Sequence, residues 1–270
     1  MKISILLPYK ENFTKNHAGA VSIFIDGVNR KSKFRNTTTI FGNTSYEDYL
    51  SNNYKNINFN KKFITSSSKT YVQNFLKAEK KIKSDIIEIH NRPLYLKFFN
   101  KNNFSKKIKF VFYFHNDPLN MSGSSTLPER LFMLKFCDKI IFNSEWTKKR
   151  FLNDMNDFYC GSDKLTIINQ STSRIKFFPK KKKIITFIGK LNKSKGFDLF
   201  GTAIIKILNK FHDWKGIVIG DEPREKINFY HKNLLTLGYK SNKEVLDILA
   251  SSSISVSCSR WDEPFGRTSL

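Results

Sequence analysis

The sequence predicts an α/β fold with two successive βα domains, each organised around a parallel sheet. Short apolar, β-branched or aromatic runs alternate with longer segments of helical period, which is the pattern of repeated βα units. The alternation is interrupted at Phe177-Phe178-Pro179 and the lysines 180–183, and then restarts. A proline followed by a run of like charge is the composition of an exposed connection, so the expected domains are residues 1–178 and 179–270. At 270 residues the chain is long enough to give each of two domains its own core.

The first strand is expected at residues 3–7, an apolar run that ends at Pro8. A helix over 18–30 follows. Strands at 38–41, 86–89, 109–114, 139–142 and 165–168 are rich in Ile, Thr, Val or Phe, which suit a buried pleat. Helices at 71–83, 92–100, 128–136 and 145–153 fill the intervals. Ser144 stands as N-cap of the last, its hydroxyl placed to accept from free helix amides. The second domain repeats the scheme with strand 184–188, helix 197–211, strand 216–219, helix 242–250 and strand 254–257.

The 47 Lys and Arg against 23 Asp and Glu give a formal charge of +24, which favours an anionic partner such as nucleic acid, a phosphorylated ligand or an acidic membrane surface. Solvated lysine-rich faces account for the same excess, and charge alone does not choose. Cys137, Cys160 and Cys258 are odd in number and without CxxC spacing, which argues against a disulfide framework and a zinc site and fits a reducing compartment. The apolar run before Pro8 is too short for a signal-peptide core, and no run of 18 apolar residues is present. A soluble or peripheral protein is expected.

Two constellations carry chemistry. Ile188-Gly189-Lys190-Leu191 with Lys195-Gly196 lies between a strand and a helix, where glycine admits a close ligand, the helix start offers N–H groups and two lysines add charge; this suits a diphosphate. The run from Ser257 to Leu270 contains Glu263-Pro264-Phe265-Gly266, a carboxylate beside a tight turn directly after a strand. Among the histidines, His115 heads a functional reading because Asn116-Asp117 follows it. His90 also ends a strand, and a cleft role and a structural one stay open. His17, His212 and His231 lack metal-ligand partners, and the last two read as surface residues. Phenylalanines at strand and helix spacing read as core.

With these motifs in this order, the chain resembles the retaining glycosyltransferases of the GT-B fold, the glycosyl transferases group 1 or family 4 type. His17-Ala18-Gly19-Ala20 resembles the Gly-rich loop after the first strand, Phe114-His115-Asn116-Asp117 the acceptor-side histidine motif, and Cys137 to Ser144 the strand that ends in serine. Residues 188–196 resemble the donor-phosphate motif, Leu237-Gly238-Tyr239 with Ser241 to Val245 the base-contacting segment, and Glu263 to Gly266 the first half of the paired-glutamate motif. Lys190 stands where the family usually has arginine, and Ala18-Gly19 where many members have two glycines. Seven residues on from Glu263 is Leu270, so the resemblance implies that the second glutamate and later βα units are missing from this sequence.

The resemblance therefore implies two Rossmann-like domains facing a cleft, the second incomplete, and retaining transfer of a hexosyl unit from a nucleoside diphosphate sugar to a hydroxyl acceptor in cell-surface polysaccharide or lipopolysaccharide synthesis. The expected catalytic residues are His115, Glu263, Lys190 and Lys195. The expected donor contacts are Gly19, Lys190, Lys195, Tyr239, Glu263, Phe265, Gly266, Arg267 and Thr268. Neither metal nor cofactor is expected beyond the sugar nucleotide. The expected partners are that donor and a glycan or lipid-linked acceptor, with peripheral contact at an anionic membrane, a cytoplasmic location and no nucleic acid, for which no module is visible. A non-catalytic sugar-nucleotide or carbohydrate-binding protein of the same fold is the first alternative, and a basic nucleic-acid-binding protein the second.

Overall fold

A computed structural model describes the chain except residues 58–65, 105–106, 157–158, 160, 172–178, 223–224 and 267–270. The expectations placed on Cys160, Phe177, Phe178, Arg267 and Thr268 lie outside the described residues. The chain divides into two compact units, Met1–Gln170 and Ser171–Leu270. The sequence places the boundary eight residues later, after 178 in the undescribed run 172–178.

The first unit contains strands β1 Ile3–Leu6, β2 Thr38–Gly42, β3 Tyr54–Asn56, β4 Ile86–His90, β5 Lys109–Phe114, β6 Lys139–Phe142 and β7 Leu165–Ile167. Its helices are α1 Ala20–Lys31, α2 Ser67–Ile82, α3 Leu127–Phe136 and α4 Glu145–Phe151. The strands form one sheet in the order β3-β2-β1-β4-β5-β6-β7, and every neighbouring pair is parallel. The second unit contains β8 Lys182–Ile188, α5 Phe197–Lys210, β9 Lys215–Ile219, β10 Leu234–Thr236, α6 Asn242–Ser251 and β11 Ser252–Val256. Its sheet, β10-β9-β8-β11, is also parallel throughout.

Alternation along β4 and β5 decides which side chains the larger sheet sends to each face. Ile87 and Ile89 with Phe110, Phe112 and Phe114 enter the main core, which Phe41, Phe75, Phe99, Phe142 and Phe151 complete. The rings meet edge to face: Phe41 on Phe75 at 5.0 Å, Phe75 on Phe99 at 6.0 Å, and Phe99 on Phe110 at 5.4 Å. That is the favoured arrangement of aromatic quadrupoles. Residues of the other parity, Glu88, His90 and Tyr113, lie across the sheet, where the Phe24 ring of α1 packs on those of His90 and Tyr113.

Most expected elements appear, with shifted ends. The expected helix over 92–100 is instead a 3-10 segment, Pro93–Phe98. Pro93 at its start has no amide, and the N–H groups of Tyr95 and Phe99 reach back three residues, to Arg92 and Leu96. Burial of Tyr95 and Leu96 holds this tight winding against the core. The strands β3 and β10 were not expected. Each has three residues and lies at a sheet edge, where a single ladder suffices and no long apolar run is required.

Phe110 touches three other rings of the core, those of Phe99, Phe104 and Phe136. Phe110→Ala is expected to lower unfolding free energy by about 3–5 kcal/mol, read as a lower urea midpoint at unchanged slope. A loss under about 1 kcal/mol would show that the ring chain does not anchor this sheet.

Candidate functional site

In an open parallel sheet, ligands bind beyond the carboxyl ends of the strands where the strand order reverses. In the second unit that point lies between β8 and β11. The loop after β8 begins with Gly189, whose N–H donates to Ile219 O at 3.0 Å; Gly220 N–H in turn donates to Gly238 O at 2.9 Å. These bonds tie together the tips of three strands. A Cβ on Gly220, at φ +136°, would stand 1.8 Å from Gly189 O, so the approach requires glycine there.

Beyond Gly189 the loop is shaped by Asn192. Its side-chain oxygen accepts from Lys195 N–H at 3.0 Å and Ser194 hydroxyl at 2.9 Å, closing the 3-10 turn Lys193–Lys195. The loop after β11 is fastened to this turn. Arg260 N–H donates to Ser194 O at 2.9 Å, and the Arg260 guanidinium donates to Lys193 O at 2.7 Å and forks onto the Asp198 carboxylate at 2.5 and 2.7 Å. The Cys258 thiol donates to Gly196 O at 3.1 Å. The result is a direct ion pair across the switch point, Lys195 Nζ to Glu263 Oε1, with Ser259 hydroxyl also donating to that oxygen at 2.7 Å. The Lys195 ammonium lies 5.6 Å from the Trp261 ring centroid. Burial opposes ionisation of Glu263, but the Lys195 ammonium and the Ser259 hydroxyl outweigh it and hold the carboxyl below its ordinary range.

The structure thus joins Lys195 to Glu263. Lys190 is exposed just beyond β8, and Tyr239, 46% exposed, follows the Gly238 carbonyl that ties in β9. Phe265 and Gly266 are half-buried, Gly266 with a left-handed φ of 72°. Among the described residues no group of three or more His, Cys, Asp or Glu converges as a metal site. His212 is exposed as expected; His231 is half-buried, its Nδ1 accepting from Asn233 N–H at 3.0 Å.

In the first unit the corresponding reversal lies between β1 and β4. Gly19 caps α1, and a Cβ there would meet Glu11 Oε1 at 2.3 Å. That oxygen accepts from Ser22 N–H at 3.0 Å, so Glu11 already engages an amide at the helix start beside Gly19, an expected donor contact. Burial raises the Glu11 carboxyl pKa, against the lowering pull of bonds from Ser22 and Val21. His115 is buried, with Nε2 2.8 Å from His90 Nδ1 and Nδ1 2.7 Å from the Gln170 amide nitrogen. His90 Nε2 lies 2.5 Å from Glu88 Oε1. Sequence reasoning passed over Glu11, Glu88, Gln170, Ser259 and Trp261. The period-two placement of Glu88 and His90 on one strand was the signal for the pair; nothing local pointed to Gln170, 55 residues from His115.

The fold is shared with known proteins. The architecture is that of the GT-B glycosyltransferases. Residues 169–270, which hold the Lys195–Glu263 pair, match the family model described as Glycosyl transferases group 1. No curated protein matches the chain in sequence. Among solved structures, Anabaena Alr3699/HepE in complex with UDP and glucose superposes with TM-score 0.69 and 13% identity, over 99% of this chain and 77% of that one. The lipopolysaccharide outer core galactosyltransferase WaaB, apo form, gives TM-score 0.63 and 14% identity over 99% and 76%. An alpha-glucosyltransferase (AGT) in complex with UDP gives 0.59 and 16% over 98% and 75%.

The lowered Glu263 pKa sets a pH dependence. The pair's contribution to stability is present above the ordinary carboxyl value of 4.5 and is lost as pH falls through the lowered folded value. Urea melts of wild type and Lys195→Met should therefore differ above pH 5 and converge in acid. A difference that stays constant down to pH 2 would remove the ion pair as its source.

Proposed function

We propose that the protein transfers a hexosyl unit from a nucleoside diphosphate sugar to a hydroxyl acceptor with retention at the anomeric carbon. The observation that carries this reading is the Lys195–Glu263 pair at the switch point of the second unit, inside the segment that matches the glycosyltransferase family. As the glycosidic bond breaks, charge grows on the leaving diphosphate, and a cation held in advance lowers that barrier more than mobile solvent does. An ammonium has three donors and the Glu263 contact uses one. Lys195 therefore serves a phosphate oxygen while Glu263 keeps it in place and orients sugar hydroxyls. Lys190 adds a second cation; Tyr239, Phe265 and Gly266 line the donor.

His115 is assigned to the sugar on the acceptor side. The acceptor attacks from the face the diphosphate leaves, and a phosphate oxygen takes its proton, so no carboxylate pair of the glycosidase kind is needed. The UDP complexes of HepE and the alpha-glucosyltransferase make UDP-sugars the first donors to test. The likeness to a lipopolysaccharide galactosyltransferase supports a role in cell-surface glycan synthesis. No helix among the described residues is long and apolar enough to cross a membrane, and the charge of +24 supports peripheral contact with anionic lipid.

The test is to incubate the full-length protein with UDP-glucose and other nucleoside diphosphate sugars and to follow released nucleoside diphosphate. Release that requires a glycan or lipid-linked acceptor supports the transferase; tight binding without release would make it a sugar-nucleotide-binding protein. Lys195→Ala should lower turnover at least ten-fold, about 1.4 kcal/mol, and unchanged turnover would remove Lys195 from the phosphate. Lys190→Arg should keep or tighten donor affinity, because the guanidinium fork engages two phosphate oxygens. A large loss on calorimetric titration would assign Lys190 another contact.

A further inference from the structure

The Glu88–His90–His115–Gln170 row is a continuous hydrogen-bonded chain on the face of β4 and β5 opposite the phenylalanine core, beside the smaller apolar cluster of Ile5, Leu7 and Ile25. Its links are 2.5, 2.8 and 2.7 Å. Both imidazoles are sunk into the fold, His90 at 0% exposure and His115 at 7%. The ring planes are fixed by stacking: Tyr113 lies 5.4 Å from His90 at 12° and 4.6 Å from His115 at 17°, while Phe24 meets His115 edge-on at 5.2 Å. The backbone is held as firmly. Asn91, in the left-handed region at φ 53°, accepts from the N–H groups of His115 and Asn116, and Asn143 donates to His115 O at 3.0 Å.

Such a chain has a direction, set by its charged end. A carboxylate only accepts, so His90 Nε2 must carry a proton toward Glu88. A neutral His90 then has its lone pair on Nδ1 and accepts from His115 Nε2–H. His115 in turn has its lone pair on Nδ1, which faces the Gln170 amide nitrogen, a donor. Each link agrees with the one before it.

We propose that Glu88, acting through His90, is a positioning residue that holds His115 in the tautomer with its lone pair on Nδ1, so that His115 meets a sugar hydroxyl as a hydrogen-bond acceptor. The inference rests on the reading above that His115 faces the sugar. A hydroxyl that replaces the Gln170 amide at Nδ1 must then point its proton at the ring, which selects the hydroxyl's orientation. The side chains of Glu88 and His90 touch no substrate in this scheme.

The experiment is nitrogen-15 histidine NMR on the wild-type protein and on Glu88→Gln, which keeps the shape and removes the charge. The expected wild-type spectrum shows both histidines neutral and protonated at Nε2. In Glu88→Gln the amide offers His90 a donor as well as an acceptor, so the His115 proton should redistribute toward Nδ1. Turnover should fall about ten-fold with donor KM within about two-fold, and cooperative melting should persist. His90→Gln, whose amide both accepts and donates, should retain more turnover than His90→Phe. A doubly protonated His90, a wild-type His115 protonated at Nδ1, or identical His115 tautomers in wild type and Glu88→Gln would overturn the proposal. A tautomer change with full turnover would overturn the placement of His115 at the sugar and leave donor transfer by the second unit standing.

Discussion

Parallel pairing is the constraint on which both units depend. A parallel strand cannot follow its neighbour through a tight turn; the chain must cross back over the sheet, and each strand then delivers its following loop to the same edge. Both units begin with the strand order 3-2-1-4, so each has one place where successive crossovers diverge. Lys195 and Glu263 come from the two loops flanking that place in the second unit. In the first, Glu11 and Gly19 come from the loop after β1, and His90 from the end of β4. Residues separated by 68 positions meet at Lys195 and Glu263 because topology brings the ends of β8 and β11 side by side.

The second unit spends many polar contacts on two short loops. Arg260 alone binds Lys193, Ser194 and Asp198, and Asn192 closes the turn that carries Lys195. Exposed ion pairs of this kind add little stability individually. Their combined effect is geometric: they restrict where the Lys195 ammonium sits, which is what electrostatic stabilisation of a developing charge requires.

The first unit shows a different economy. One face of β4 and β5 packs phenylalanine on phenylalanine, while the other places two imidazoles, a carboxylate and a phenol under α1. Burial pushes the Tyr113 hydroxyl pKa up, with a further push from the Glu88 charge, and that hydroxyl donates to Ile168 O at 2.7 Å. Buried polar groups are costly unless partnered. Each ring nitrogen of His90 and His115 has its partner, and Glu11 likewise satisfies the start of α1. A phenylalanine core on the opposite face supplies apolar burial that tolerates this polar row.

The alternation of apolar runs and helical periods was enough to determine two parallel βα units, because period two and period 3.6 are local properties of the chain. Glycine beside lysine at 189–196 and the acidic turn at 262–266 were legible for the same reason. The 3-10 winding at Pro93–Phe98 and the edge strands β3 and β10 were not, since burial against distant residues decides them. The pairing of Lys195 with Glu263, the capture of the α1 amides by Glu11 and the chain from Glu88 to Gln170 were decided only by tertiary structure. Each joins groups from separate loops or strands, and a hydrogen bond a few ångströms long is fixed by how the sheet is ordered rather than by spacing along the sequence.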